Sequence, residues 1–188
     1  DYVRLIKKLK DKVTDVDYDY GILPSNRDIP FEPNPVFTGR HVDLLNLYLE
    51  ILGDLNKLNY SKVGLVGIGG AGKTQLAIEF AYRFGYAFEN GIYWIQGNDP
   101  ASWVSQFVNI AKNHIGLKIS DSGADSPDTD KHYFVEFKKY CGKHGSKMLL
   151  IIDDIPNPNN LYNDDILFPR DLTARFNILT LGCNLLFT

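Results

Sequence analysis

The residues from Gly67 to Thr74 form the pattern with the clearest chemical meaning in this sequence. They read GIGGAGKT and fit the pattern G-x-x-x-x-G-K-[ST]. Glycines at this spacing allow a tight loop whose backbone N–H groups point inward, and the start of a following helix adds the positive end of its dipole. Such a loop binds the oxygens of a phosphate chain. We therefore predict a phosphate-binding loop, called the P-loop below.

Each part of the P-loop has a predicted role. Lys73 is expected to reach the β and γ phosphates of a nucleoside triphosphate, and the Thr74 hydroxyl to ligate Mg²⁺. A turn used only for tight packing would require neither four glycines nor the Lys-Thr pair, so ligand binding is favoured. The predicted nucleotide-binding residues of this motif are Gly67, Gly69, Gly70, Ala71, Gly72, Lys73, Thr74 and Gln75.

A second chemical pattern is an apolar run that ends in two acids. Residues 148–154 read MLLIIDD. A buried parallel strand would carry Asp153 to the carboxyl edge of the sheet, where it can hold Mg²⁺ directly or through water. Asp154 is predicted to polarise the attacking water as a general base, and because Asp is shorter than Glu, hydrolysis is expected to be slow. The alternative is that the two acids simply end a strand.

Other kinds of site are not indicated by the sequence. The histidines lack the spacing to a cysteine or carboxylate that a zinc site requires, so they are interpreted as surface or interface residues: His41, His114, His132 and His144. No N-K-x-D motif for guanine is present, which favours ATP and ADP. Cys141 and Cys183 are far apart in sequence without metal-ligand spacing, which suits a reducing compartment, although a single disulfide stays open.

The elements that must position these residues follow from hydrophobic periodicity. Apolar runs predict strands over Lys62–Val66, Gly91–Ile95 and Met148–Ile152, with another beginning at Asn184. Apolar residues at helical spacing predict helices from about Gly39 to Gly53, and over Thr74–Phe84, Pro100–Ile115 and Lys131–Lys143. The small, acidic segment Ser120–Asp130 is predicted to be a loop. Alternating strands and helices indicate a three-layer α/β/α sandwich around a parallel sheet.

Three segments are predicted along the chain. Residues 1–20, with helical spacing over Tyr2–Leu9, are expected to be the tail of an upstream domain or a linker helix. Residues 21–35 contain four prolines and are expected to form an extended connector. Residues 36–188 are expected to form the P-loop nucleotide-binding domain, incomplete at its C-terminal end.

Composition excludes several classes of partner. The formal net charge is -3 across 188 residues, and no cluster of Lys and Arg forms the stripe that nucleic-acid binding requires. No apolar run approaches the roughly 18 residues of a membrane span, and no signal peptide is indicated. We therefore expect a cytoplasmic protein that binds neither nucleic acid nor membrane.

Taken together, four segments resemble the nucleotide-binding module of the STAND NTPases, the NB-ARC-like group. They are GIGGAGKTQLA, VFTGR at residues 36–40, the YWI strand and LLIIDD, and the resemblance covers Pro35 to Thr188. Members include apoptotic protease-activating factors, plant disease-resistance proteins, and prokaryotic or fungal relatives. The resemblance implies an ASCE/AAA+-like P-loop NTPase fold, truncated at the sensor-1 strand.

The resemblance also implies roles for particular residues. Backbone contacts from Val36 and Phe37 to adenine are expected, with Arg40 nearby; the alternative is that Phe37 is a core residue and Arg40 forms a surface ion pair. In the family the sensor strand ends in a run such as T-T-R, and this sequence stops at Thr188. Because the helical and winged-helix modules that follow in the family are not in this sequence, weak nucleotide binding is expected for this chain alone.

The expected function is that of a signalling switch in defence or cell death. The full-length protein is expected to carry an upstream effector domain and a downstream sensor domain, and ADP would hold it in a closed form. Exchange of ADP for ATP with Mg²⁺ would open it for assembly into a homo-oligomer. Two alternatives share the motifs. One is an AAA-type or metabolic ATPase with continuous turnover, and the other is a degenerate P-loop domain used only for docking.

Overall fold

A parallel sheet forms the centre of the structure, a computed structural model that describes residues 22–53, 60–99, 102–119, 129–155 and 178–188. The strands are β1 (Arg27–Asp28), β2 (Lys62–Gly64), β3 (Ile92–Gln96), β4 (Leu149–Asp153) and β5 (Asn184–Phe187). They form a five-stranded sheet in the order β1-β3-β4-β5-β2, and every neighbouring pair is parallel. Parallel neighbours require crossover connections, and α-helices lie in those from β1 to β2, from β2 to β3 and from β3 to β4. The predicted α/β fold with a parallel sheet is confirmed.

The strands that apolar runs predicted are present, with ends that differ by one or two residues. β4 extends through Asp153, so the first acid of the LLIIDD run belongs to the strand itself. β2 ends at Gly64 rather than at Val66. The Leu65 N–H still donates to the carbonyl of Phe187 at 2.8 Å, but Val66 is 98% exposed. The chain therefore leaves the sheet as it enters the P-loop.

Within the described ranges the α-helices are α1 (His41–Leu52), α2 (Lys73–Phe84), α3 (Trp103–Asn109) and α4 (Thr129–His144). α1 ends at Gly53 as its sequence predicted. A short π-helix continues α3, and Gly116, with φ of 73°, lets the Leu117 N–H reach the Ala111 carbonyl at 2.8 Å. This glycine ends the helix close to the predicted position.

The beginning of α4 corrects the prediction for one loop. Thr129 and Asp130 were predicted to end the loop over Ser120–Asp130, but they form the first turn of α4. An acid in the first turn favours the helix because it faces the positive end of the helix dipole. The other residues of that predicted loop and the predicted helix over Tyr2–Leu9 lie outside the described residues.

Side chains alternate between the two faces of the sheet and produce two cores. α1 and α2 cover the face that carries Ile92, Trp94, Leu149, Ile151 and Leu186. α3 and α4 cover the opposite face, which carries Tyr93, Ile95, Leu150, Ile152 and Leu185. Helices on both faces make the three layers that the alternation of strands and helices predicted. Because both faces are covered, the carboxyl edge of the sheet is where a ligand can approach the strand ends.

The proline-rich segment predicted to be a connector contributes a strand to this sheet. Arg27 and Asp28 pair with the start of β3 as the edge strand β1. Further along, the Phe31 ring meets the Trp94 ring edge-on at 5.4 Å, and the Tyr82 hydroxyl donates to the Phe31 carbonyl at 3.0 Å. Prolines suit an edge strand because its outer N–H groups need no partner in the sheet.

The amino ends of three strands meet at one buried side chain. Asn184, 3% exposed, accepts a hydrogen bond from the Ser61 N–H at 2.9 Å before β2. Its amide nitrogen donates at 3.0 Å to the carbonyl of Met148 before β4. It also donates to the carbonyls of Gly145 and Ser146. This end of the sheet lies away from the P-loop.

The two cysteines lie in the same core and are both free and buried. A side-chain hydrogen bond with Cys141 and burial raise the pKa of the Cys183 thiol. A thiol with a raised pKa stays protonated and reacts slowly with oxidants.

None of the helices in the described ranges has both the length and the apolar character needed to cross a membrane.

Candidate functional site

The P-loop connects the end of β2 to the first residue of α2. Its residues Gly67 to Ala71 are exposed. Gly70 and Gly72 adopt left-handed φ angles of 76° and 79°, which favour glycine. A side chain at Gly72 would also approach the Arg40 guanidinium, with its Cβ at 3.3 Å from one nitrogen. Gly70 and Gly72 are therefore the glycines of the motif that the path of the backbone requires.

The backbone N–H groups around the start of α2 are available to an anion. The N–H groups of Gly70, Gly72, Lys73 and Thr74 have no acceptor among the described residues. The first N–H groups of a helix lack partners within the helix, and they lie at the positive end of its dipole. A phosphate group supplies both the acceptor oxygens and the negative charge that this arrangement lacks.

Lys73 places a cation beside these N–H groups. Its ammonium donates to the carbonyls of Gly67 at 3.1 Å and Ile68 at 3.3 Å. Both acceptors are neutral, and no carboxylate of the described residues forms an ion pair with Lys73. An anion in the loop would be the first negative partner for this ammonium.

Arg40 links the VFTGR segment to the P-loop. Its guanidinium donates to the carbonyl of Ala71 at 2.8 Å and to that of Gly72 at 3.3 Å, while its Nε donates to the carboxylate of Asp43 at 2.8 Å. These two bonds attach the VFTGR segment to the backbone of the P-loop just before α2 begins. Arg40 forms an ion pair, as the alternative interpretation stated, and it also contacts the P-loop.

Val36 and Phe37 are the other residues for which contacts to adenine were predicted. Val36 is 75% exposed. The Phe37 ring packs against the core with the Arg83 guanidinium 5.8 Å from its centre, which matches the alternative interpretation of Phe37 as a core residue. Gln75 is exposed in the first turn of α2. The backbone N–H of Val36 donates to Oδ1 of Asn34 at 3.1 Å and that of Phe37 to the Asn34 carbonyl at 3.0 Å, so both N–H groups already have acceptors.

A cavity of about 240 Å³ lies beside the P-loop, between α1 and β2. It is lined by Arg40, Asp43, Glu50, Leu65, Ala71 and Lys73, among others. The carboxylates of Asp43 and Glu50 can only accept hydrogen bonds when ionised, so this wall suits donors such as hydroxyl or amino groups. The Asp43 carboxylate is already paired with Arg40, and the Lys73 ammonium is the group in this lining that would attract a phosphate.

The two predicted metal ligands are in direct contact. The Thr74 hydroxyl of α2 donates to Oδ1 of Asp153 at the end of β4 at 2.8 Å. Asp153 is only 5% exposed. One hydroxyl and one carboxylate give the oxygen ligands that Mg²⁺ prefers, and Mg²⁺ at such sites takes its remaining ligands from substrate phosphates and water. The site therefore fits Mg²⁺, with Thr74 and Asp153 as the residues that would hold it.

No cluster of three or more His, Cys, Asp or Glu side chains that could hold a metal ion occurs in the described part of the chain. A metal bound through many protein ligands is thus not supported there. His114 instead lies 3.3 Å from the Asp28 carboxylate of β1.

Thr188 is a site residue to which the sequence assigned no role. It follows β5, and its hydroxyl forms a hydrogen bond with Oδ1 of Asp153 and accepts one from the Asp154 N–H at 3.2 Å. The position of Thr188 after an apolar strand was visible in the sequence. The strand order, in which β5 lies directly beside β4, could not be predicted from the sequence.

Asp154 has an unusual backbone. Its φ of 61° is the only positive φ of a non-glycine residue among the described residues, and its side chain is exposed. A left-handed conformation costs of order 1 kcal/mol or more outside glycine, and such residues cluster at functional sites. The exposed carboxylate is next to Asp153 in sequence and is open to a ligand at the strand end.

Comparison with known proteins gives a distant relationship. The chain is 26% identical over 135 residues to a protein named nucleotide-binding leucine-rich repeat (NLR)-like protein, from Hyaloscypha variabilis. The aligned region covers 71% of this chain and 13% of that protein, so the chain spans a small part of its relative. No protein-family model and no solved structure matches the chain.

Proposed function

We propose that this chain is the nucleotide-binding module of a STAND-type signalling ATPase, which binds ATP or ADP with Mg²⁺. The observation that carries the proposal is the contact between Thr74 and Asp153, which lie 79 residues apart. The contact joins the phosphate-binding loop to the strand end in the arrangement that a nucleotide–Mg²⁺ complex requires. The name of the distant relative, which describes nucleotide binding, supports the same reading.

In this proposal each group has a distinct task. The N–H groups of the P-loop and the Lys73 ammonium bind phosphate oxygens, and Thr74 and Asp153 hold Mg²⁺. Mg²⁺ held by these two residues would supply positive charge to neutralise the phosphate oxygens. Asp154 orients water for a slow hydrolysis. The adenosine contacts the Val36 backbone and the neighbourhood of Arg40.

As a switch, the module acts through different affinities of two arrangements of the full-length protein. ADP favours a closed form and ATP with Mg²⁺ an open form that assembles into a homo-oligomer, together with effector and sensor domains of the same protein. A nucleotide that bound both forms equally would shift nothing. In this proposal the chain supplies the phosphate-binding and metal-binding residues of the switch.

The proposal predicts that the gain in ATP affinity produced by Mg²⁺ depends on Asp153. ATP and ADP should raise the thermal unfolding midpoint of the chain, because a ligand that binds only the folded state stabilises it. Replacing Asp153 with Asn should weaken ATP binding at least about tenfold in Mg²⁺, since second partners of metal ligands alone typically account for 10- to 100-fold. The same variant should bind ATP like the parent in EDTA. Titration calorimetry under both conditions measures this.

The matched control is Asp154→Asn, which removes a charge at the adjacent, exposed position. It should bind ATP as the parent does in Mg²⁺. No thermal shift with any nucleotide would contradict the proposal and favour the docking domain. Turnover well above about one per second without a trigger, in the range of ordinary enzymes, would favour the ATPase with continuous turnover.

Arg40 should contribute less than the metal ligands, because it orients the loop without contacting phosphate. Replacing it with Ala removes two hydrogen bonds to P-loop carbonyls. Each such bond contributes about 0.5–1.5 kcal/mol. Because the glycines and the start of α2 still shape the loop, we expect ATP binding to lose the equivalent of about one such bond, roughly 3- to 10-fold. Calorimetry in Mg²⁺ measures the change.

Arg27→Ala is the control for Arg40→Ala, since Arg27 is an exposed arginine on the opposite edge strand. It should leave the affinity for ATP unchanged. Equal losses in the two variants would mean that Arg40 acts only through the net charge of the chain.

A further inference from the structure

We propose that Thr188 is a positioning residue, whose hydroxyl holds the Asp153 carboxylate in the geometry that the Mg²⁺ site requires and also binds the backbone N–H of Asp154. The inference rests on the proposed function. Thr188 is 8% exposed and lies between the two acids and the end of β5. It belongs to neither of the two sequence motifs.

The backbone of Thr188 is fixed before its side chain acts. Its N–H donates to the Ile152 carbonyl at 3.0 Å, and its own carbonyl accepts from the Ile155 N–H at 3.3 Å. These bonds continue the pairing between β4 and β5 past the last paired residues, Ile152 and Phe187. A threonine held in this way has a restricted side-chain rotamer as well, because it is branched at Cβ.

One hydroxyl can serve both acids because it has one proton and two acceptor lone pairs. The proton goes to Oδ1 of Asp153, and a lone pair accepts the Asp154 N–H at 3.2 Å. The first bond selects the rotamer of the buried carboxylate. The second bond stabilises the left-handed backbone of Asp154, whose φ of 61° has no glycine to favour it.

The two hydroxyls on Asp153 have different tasks. Thr74 and Thr188 both contact Oδ1. Thr74 is on the ligand side at the start of α2, so its hydroxyl must turn its lone pairs toward Mg²⁺ when the ion binds. Thr188 is on the protein side and can keep its bond throughout. It therefore remains the group that orients the carboxylate once Thr74 is engaged.

The test compares Thr188→Val with Thr188→Ser. Valine keeps the shape and removes the hydroxyl, while serine keeps the hydroxyl. We measure the dissociation constant of ATP by titration calorimetry in Mg²⁺ and in EDTA, and the thermal unfolding midpoint of each protein without ligand. Valine should lose about tenfold in affinity in Mg²⁺, as expected for a partner of a metal ligand. It should bind ATP like the parent in EDTA, and serine should match the parent in both.

Three results would overturn the proposal. In the first, Thr188→Val gains as much affinity for ATP from Mg²⁺ as the parent does. In the second, Thr188→Ser lacks the parent's gain in ATP affinity from Mg²⁺. In the third, Thr188→Val loses the same factor in ATP affinity in Mg²⁺ and in EDTA. The third result, accompanied by a lower unfolding midpoint, would assign Thr188 a role in folding alone.

A separate measurement distinguishes failure of this inference from failure of the proposed function. If the parent binds no ATP, the proposed function is contradicted, and Mn²⁺ binding to the ligand-free proteins then decides about Thr188. Mn²⁺ prefers the same oxygen ligands and is detected by electron paramagnetic resonance. Weaker Mn²⁺ binding by Thr188→Val than by Thr188→Ser supports the positioning role. Equal binding, or none by the parent, overturns it.

Discussion

Replacing Lys73 with alanine should weaken ATP binding by about 10- to 100-fold. A hydrogen bond that involves a charged group contributes about 1.5–3 kcal/mol, and each 1.4 kcal/mol corresponds to a factor of ten. Among the described residues, the Lys73 ammonium donates to the carbonyls of Gly67 and Ile68, which are neutral, and forms no ion pair. A phosphate oxygen is the stronger acceptor because it is charged. The effect should be larger for ATP than for ADP, since in the proposed function Lys73 would reach the γ phosphate as well.

Lys62→Ala provides the matched control, because Lys62 is an exposed lysine in β2, the strand that leads into the P-loop. Both variants change the net charge by the same amount. Calorimetric titration with ATP and ADP at constant ionic strength should show the loss in Lys73→Ala only, since screening by salt is then equal. A Lys73→Ala variant that bound ATP as tightly as Lys62→Ala would remove the P-loop from the nucleotide site.

Gly145→Ala should lower the free energy of unfolding by about 3 kcal/mol, at the upper end of what overpacking normally costs. A Cβ at Gly145 would overlap the carbonyl oxygen of Gly182 and lie 2.7 Å from the Cα of Cys183. These atoms belong to the backbone that leads into β5, so they cannot turn aside as the end of a side chain could. The clash must be relieved by moving α4 or β5.

Gly142→Ala is the control, since Gly142 lies in α4 and a Cβ there would meet nothing within 4 Å. Alanine in a helix is about 0.5–1 kcal/mol more favourable than glycine, so this variant should be more stable than the parent. Urea unfolding with an unchanged m-value measures both differences. If the two substitutions shifted the unfolding midpoint in the same direction, the close approach at Gly145 would be disproved.

Most of the layer structure could be predicted from the sequence, because apolar runs and helical periodicity are local signals. The runs that become β3, β4 and β5 are buried on both faces, and this produces the uninterrupted apolar sequence that identified them. β1 could not be predicted in this way. Arg27 and Asp28 are polar, and they form a strand only because β3 offers an edge with which to pair.

Residues of the candidate site could be predicted from the sequence where they belong to one short motif. Lys73 and Thr74 belong to such a motif, and Asp153 ends a strand with a strong apolar signal. Thr188 and the contact of Arg40 with the P-loop carbonyls depend on which segments become neighbours in space. Asp154 was identified by residue type, but its left-handed backbone depends on the bond to Thr188 and on its place after β4.

The hydrogen bonds of Asn184 bear on which end of the sheet can adjust to a ligand. This single amide side chain clamps the amino ends of β2, β4 and β5 together in a buried position. The opposite ends of the same strands lead into an exposed glycine loop and into the acids. We therefore expect adjustment to a bound ligand at the carboxyl ends of these strands, and little displacement at the amino ends that Asn184 joins.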